Sequence, residues 1–208
     1  FLTDPGFSFD YAELQLSNNI ISAIVETRKL QLRENLCEAS RMIHNANMIY
    51  LFGVGTSGIA ASTFHSKMIY INKSCTFYNN NVLSAISSSH SMHGDVALGI
   101  SYSGYNKDVL FSMETCKKNK AFTIGITQMN SPLAKYLDIL LPIPYVDDGL
   151  CSSANLSIYA QMMLLDMLYL ELLQISREEV EKSLSLSHDT ITRFDSMRKQ
   201  TNETKNKE

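Results

Sequence analysis

Three short stretches place hydroxyl side chains directly after apolar runs: Gly53-Val54-Gly55-Thr56-Ser57-Gly58, Ser101-Tyr102-Ser103-Gly104, and Thr127 followed by Ser131. The first sits between a strand-like and a helix-like run. There glycines allow a tight turn, and the unpaired N–H groups of a helix start favour an anion. Taken literally it also satisfies the dinucleotide pattern GxGxxG, but that site wants an acidic residue about 20 positions further on for the ribose hydroxyls. Between Glu38 and Asp95 the sequence has no Asp or Glu; the second strand-like run ends in Tyr78-Asn79-Asn80-Asn81, where Asn79 or Asn80 would be a weaker substitute. A nucleoside-triphosphate loop is excluded more firmly, because no Lys-Ser or Lys-Thr pair directly follows Gly58. What remains is an anion turn with Thr56 and Ser57 as hydroxyl donors, or a plain helix cap made by one of them.

Two serines flanking one residue, Ser101 and Ser103, exceed what a single cap requires, and Asn106 is placed to cap the helix that follows. Ser131-Pro132 reads as an ordinary cap with Pro at the first helical position. Candidates for a general base are few. Glu114 reads as a solvated helical residue, His65 as a packed or interface histidine, and His90 and His93 as loop residues, of which His90, offered by a second subunit, is the one worth testing. Lys107 could offset phosphate charge, although an exposed lysine is the commoner outcome.

The elements that must position these residues follow from the pattern of apolar runs. Short runs at 48–52, 75–78, 95–100, 121–126 and 138–143 read as buried strands. Helical stretches at about 57–72, 81–90, 106–118 and 132–137 alternate with them, which predicts a doubly wound α/β fold with a five-stranded parallel sheet covered on both faces. In such sheets ligands bind beyond the carboxyl ends of the strands, at the point where strand order reverses. The three hydroxyl turns would meet at that edge as a neutral, donor-rich cradle for a phosphate monoester and sugar hydroxyls.

Residues 11–46 lack Pro and Gly and read as one or two helices forming a connector. A strongly apolar helix is expected from about 153 to 174, with Met162, Met163 and Met167 as core filler and Asp166 in an ion pair. Ser176 and Glu179 fit a capping box opening a last helix, followed by a polar tail expected to be disordered. The division is thus 1–46, 47–176 and 177–208.

The chain has 208 residues, 45% of them hydrophobic, enough for a real core in one domain. A net charge of −3 and a pI near 6.0 argue against unaided nucleic-acid binding. Cys37, Cys75, Cys116 and Cys151 are scattered with no CxxC pair, which argues against a structural zinc site or a dense disulfide framework and predicts reduced thiols in a cytoplasmic setting; no metal or other cofactor is expected. No uninterrupted apolar stretch crosses a bilayer, since the most apolar one carries Asp166 and Glu171, so no membrane association is expected.

The stretches GVGTSG, GDVALGISYSGYNKDVL, AFTIGIT with SPLAKYLDILLPIP, and AQMMLLDMLYLEL, in this order and spacing, resemble the sugar isomerase (SIS) domain, in the version found in RpiR-type transcriptional regulators. The resemblance spans about 48–173 and implies a flavodoxin-like fold that senses a phosphorylated sugar, with DNA bound by a separate helix-turn-helix domain upstream. The start at FLTDPG and not at methionine fits an upstream domain. The resemblance implies a phosphosugar site of Gly55, Thr56, Ser57, Ser101, Tyr102, Ser103, Gly104 and Asn106, with Ser57, Ser101 and Ser103 on the phosphate and Ser152 and Ser153 closing the pocket. Asn106 stands where many relatives have threonine, Tyr105 where they have glutamate, and Ile158 where RpiR-type domains carry arginine. The unburied helical faces at both ends predict a homodimer. The functional expectation is a sensor without turnover; a sugar-phosphate isomerase on the same fold, or a purely structural dimerisation module, are the alternatives.

Overall fold

The computed structural model describes residues 9–145 and 153–205. Five parallel strands, β1 (Ile49–Gly53), β2 (Cys75–Phe77), β3 (Val96–Ile100), β4 (Phe122–Thr127) and β5 (Ile139–Pro142), lie in the order β2-β1-β3-β4-β5. They are linked by α3 (Thr56–Tyr70), α4 (Asn81–Ser89), α5 (Lys107–Lys118) and a 3-10 turn at Pro132–Tyr136. After β2 the chain crosses to the other side of β1, so the order reverses between β1 and β3. The expected α/β fold with five parallel strands is therefore present, with each strand within two residues of its predicted bounds.

Strand alternation separates two cores. Ile49 and Leu51 of β1, with Leu98 and Ile124, face α3 and two further helices, α2 (Arg33–Asn45) and α6 (Ser153–Ile175), while Tyr50 and Phe52 face Val109 and Met113 of α5. Both faces are apolar because both are covered, which is why these strands read as continuous hydrophobic runs.

The N-terminal segment forms two helices, α1 (Phe9–Leu30) and α2 (Arg33–Asn45). Their break has no Gly or Pro; Gln31 makes it, donating from Nε2 to Thr27 O at 2.9 Å and to Pro142 O at 2.7 Å, which pins it to the end of β5. Leu36, Ala39 and Ile43 of α2 are fully part of the core with α6 (Ser153–Ile175), so this helix is integral to the domain and not only a connector.

Over Leu156–Ile175, α6 is long and apolar enough to cross a membrane by length and composition, which differs from the sequence reading, since mean hydropathy tolerates its two acids. One face, with Leu164, Leu165, Leu168 and Leu172, lies in the protein core, and Asp166 is ion-paired with Lys67. The last helix, α7 (Arg177–Lys205), continues into the segment expected to be disordered. That segment contains no Gly or Pro to stop a helix already started.

Candidate functional site

The register that pairs Gly53 with Ile100 makes β1 and β3 end level, so the turns after them leave adjacent strands at the reversal point. After β1, Gly55 adopts φ 64° and ψ −130° as the N-cap of α3, and a Cβ on it would meet nothing within 4 Å. The turn thus needs glycine for its conformation and leaves open space above it. Gly53 serves closeness, since a Cβ there would lie 2.6 Å from Ser57 O. The backbone N–H groups of Thr56, Ser57 and Gly58 belong to the first turn of α3, where a helix offers them no acceptor.

After β3, Ser101 is buried and its hydroxyl has no hydrogen-bond partner among the described residues. Ser103 is exposed and its Oγ accepts only a long 3.4 Å bond from Tyr105 N. Gly104 has φ 70°, and a Cβ on it would sit 2.5 Å from Ser131 Cβ and 2.9 Å from Thr127 Oγ1. Asn106 caps α5 as expected, its Oδ1 accepting from Asp108 N and Val109 N at 3.1 Å each.

The third hydroxyl turn has a different job from the one its sequence suggests. Thr127 Oγ1 lies 3.0 Å from Ser131 Oγ and 3.3 Å from Tyr102 O, and Gln128 N donates to Tyr102 O at 3.2 Å. Ser131 makes no side-chain cap bond. These groups brace the Ser101–Gly104 turn from behind and are spent in doing so.

A family model of the SIS domain matches residues 42–171. The chain belongs to the SIS domain family. It is 33% identical over 179 residues to an uncharacterised HTH-type transcriptional regulator of Caldanaerobacter subterraneus subsp. tengcongensis, covering 86% of this chain and 64% of that one. It is 27% identical over 177 residues to the HTH-type transcriptional regulator RpiR of Escherichia coli K12, covering 83% of this chain and 60% of that one. The chain thus spans about three fifths of the length of these curated relatives. The Vibrio vulnificus NanR protein, solved in complex with ManNAc-6P, superposes with a TM-score of 0.81 at 25% identity, covering 89% of this chain and 70% of that one.

Within this SIS domain, the expected residues Gly55, Thr56, Ser57, Ser101, Tyr102, Ser103, Gly104 and Asn106 all lie on the two turns at the carboxyl edge of the sheet. Ser152 lies outside the described residues, and Ser153 is the first residue of α6. Beside the turns a cavity of about 500 Å³ runs between Ser103, Gln128, Asn130 and the end of α1. The carboxylate in its wall, Glu26, is engaged by Lys29 at 2.7 Å. Neither Glu26 nor Gln128 was singled out by sequence, because nothing in the pattern shows that the end of α1 comes beside the turns after β3 and β4.

The histidines lie elsewhere. His65 Nε2 is 3.0 Å from Cys75 O beside β2, His90 ends α4, and His93 lies in the turn before β3 at the opposite edge. Glu114 pairs with Lys118 at 2.9 Å on α5. Asn80, weighed above as a ribose ligand, caps α4 by accepting from Leu83 N at 3.0 Å. Burial pushes the Cys75 thiol up to about 12 and the Cys116 thiol up to about 11, so neither is a nucleophile at neutral pH.

Sequence reasoning also missed Gln161. It is fully buried on α6, and its Nε2 donates to Ser57 Oγ at 3.1 Å. The signal was a lone amide in the otherwise apolar run Tyr159-Ala160-Gln161-Met162-Met163.

Proposed function

We propose that this chain is the phosphosugar-sensing effector domain of a bacterial RpiR-type transcriptional regulator. In this reading DNA is bound by a helix-turn-helix domain of the same protein upstream of Phe1, and the protein works in the cytoplasm as a homodimer. The observation that carries the reading is the cradle at the reversal point: uncommitted Ser101 and Ser103 hydroxyls, the start of α3 and the capped start of α5, with no acidic side chain on either turn. Two helix N-termini and neutral donors suit a phosphate dianion. A dinucleotide would require the ribose-binding acid that the chain does not supply. NanR, bound to ManNAc-6P in its solved form, supports a phosphorylated amino sugar among the effectors to try first.

An isomerase would need a base near the sugar carbon. Among the described residues the cavity wall offers no histidine, and its carboxylate, Glu26, is held by Lys29 in an exposed ion pair on α1, which favours binding without turnover. The test is thermal shift and isomer interconversion measured together over hexose, pentose and amino-sugar phosphates. Stabilisation without interconversion is expected. Turnover abolished by Ser101→Ala would replace the sensor with an enzyme, and no stabilisation by any member would leave only a structural module.

A further inference from the structure

We infer that Gln161, buried on α6, is a positioning residue that sets the hydrogen-bond polarity of Ser57 and thereby makes the cradle select an anion. The inference rests on the phosphate reading of the two turns.

A serine hydroxyl carries one hydrogen and two lone pairs, so what it offers a ligand depends on what its neighbours take. Gln161 Nε2 donates to Ser57 Oγ at 3.1 Å, and Ser57 and Gln161 are 6% and 0% exposed. With one lone pair occupied by that N–H, Ser57 keeps its hydrogen to donate, and no described group accepts it. A phosphate oxygen can. The same amide turned over would set Oε1 against Ser57, capture its hydrogen, and leave lone pairs facing the anion.

The arrangement is costly to the fold, which is the second observation. Gln161 Oε1 is buried with no hydrogen-bond partner, and Nε2 has only a long additional contact, 3.5 Å to Ser157 Oγ. A leucine or methionine here would continue the apolar face of α6 without burying an unpaired acceptor. Retaining an amide that stabilises little in the core is explained by what its other end does to Ser57. Because α6 also packs on α1 and α2, the contact joins the ligand turn to the helices nearest the chain's N-terminus.

The experiment uses the described chain with N-acetylmannosamine 6-phosphate and inorganic phosphate as probes, read by calorimetry and thermal shift. In Q161M, which preserves volume, affinity should fall about tenfold, the size expected for losing one hydrogen-bond constraint on a charged ligand. In the Ser57→Ala background the same Q161M change should alter affinity less than about twofold, because the group it acts through is gone. Q161E should lose more than Q161M at pH 7.5 and recover towards wild type as pH falls to 5.5, since a protonated carboxyl can again donate to Ser57. Wild type should show no such gain, because the phosphate monoester loses charge over that range. Equal losses from Q161M with and without Ser57, or a Q161E deficit independent of pH, would overturn the inference while leaving the phosphate site standing. Should Q161E fail to fold, the Q161M and Ser57→Ala cycle decides alone. If neither probe binds the unaltered chain, both the site and this inference are overturned.

Discussion

At the amino-terminal edge of the sheet, Asp138 accepts from Thr123 N at 2.9 Å and Thr123 Oγ1 at 2.8 Å and is ion-paired with Lys117. At the carboxyl edge, the Ser101 hydroxyl has no partner among the described residues and that of Ser103 has only a weak one. Both edges carry a cavity, about 450 Å³ beside Asp138 and about 500 Å³ beside Ser103. Size therefore does not distinguish them. What does is helix polarity and the commitment of polar groups: α2 and α5 end at the amino edge with their carbonyls, which repel anions, while α3 and α5 begin at the carboxyl edge with their N–H groups. One edge is internally satisfied and the other is left to be satisfied from outside.

The largest effect should come from removing the space behind the Ser101–Gly104 turn. Gly104→Val places a branched side chain at φ 70° and 2.5 Å from Ser131 Cβ. A destabilisation of about 2–4 kcal/mol is expected in urea unfolding, together with loss of phosphosugar stabilisation. Retention of both would mean that the brace from Thr127 and Ser131 does not set the site.

Next comes a reciprocal pair, one change at each edge. Ser101→Ala should leave the stability of the free chain within about 0.5 kcal/mol and weaken phosphosugar binding about tenfold or more. Asp138→Asn should do the reverse, costing about 1 kcal/mol in unfolding with binding unchanged. The Asp138 carboxyl is subject to burial that would raise its pKa, but donors from Lys117 and Thr123 outweigh it and hold it below the usual carboxylate value. Its contribution is therefore present above the unfolded pKa of 3.8 and lost as pH falls through the lower folded value. Acid titration of stability should be shallower in Asp138→Asn.

The contrast between the edges also explains what could be read from the sequence. Strands such as 96–100 and 122–127 were legible because both faces are buried, and Asn106 because a cap is a local interaction. Thr127 reads as part of the same cradle as Ser101 and Ser103, and Ser131 as a helix cap, for a hydroxyl type does not reveal whether it faces a crevice or the back of a turn. The bend at Gln31 was invisible for the same reason: its partner, Pro142, is 111 residues away. Gln161 likewise acts on Ser57 across 104 residues, and only its odd polarity in an apolar helix marked it.

The smallest expected effect tests whether the amino edge is indeed a structural region. There the half-buried His44 lies 3.3 Å from Ser176 Oγ through Nδ1, and its carbonyl accepts from Lys73 Nζ at 2.8 Å. Burial, and then the Lys73 charge, lower its pKa below 6.5 against a weaker opposite pull from Glu179. The folded state thus prefers the neutral ring, and the unfolded chain takes up the proton first as pH falls. Stability from this source is complete above pH 6.5 and declines below it, towards the lowered folded pKa. Melting temperature should drop modestly from pH 7.5 to 5.5 in the unliganded chain, and His44→Asn, which keeps an acceptor for Ser176, should flatten that slope. Phosphosugar affinity should respond to pH equally in both proteins. A change in the affinity profile of His44→Asn would mean that the two edges are energetically coupled through α2 and α6, and the division drawn between them would fail.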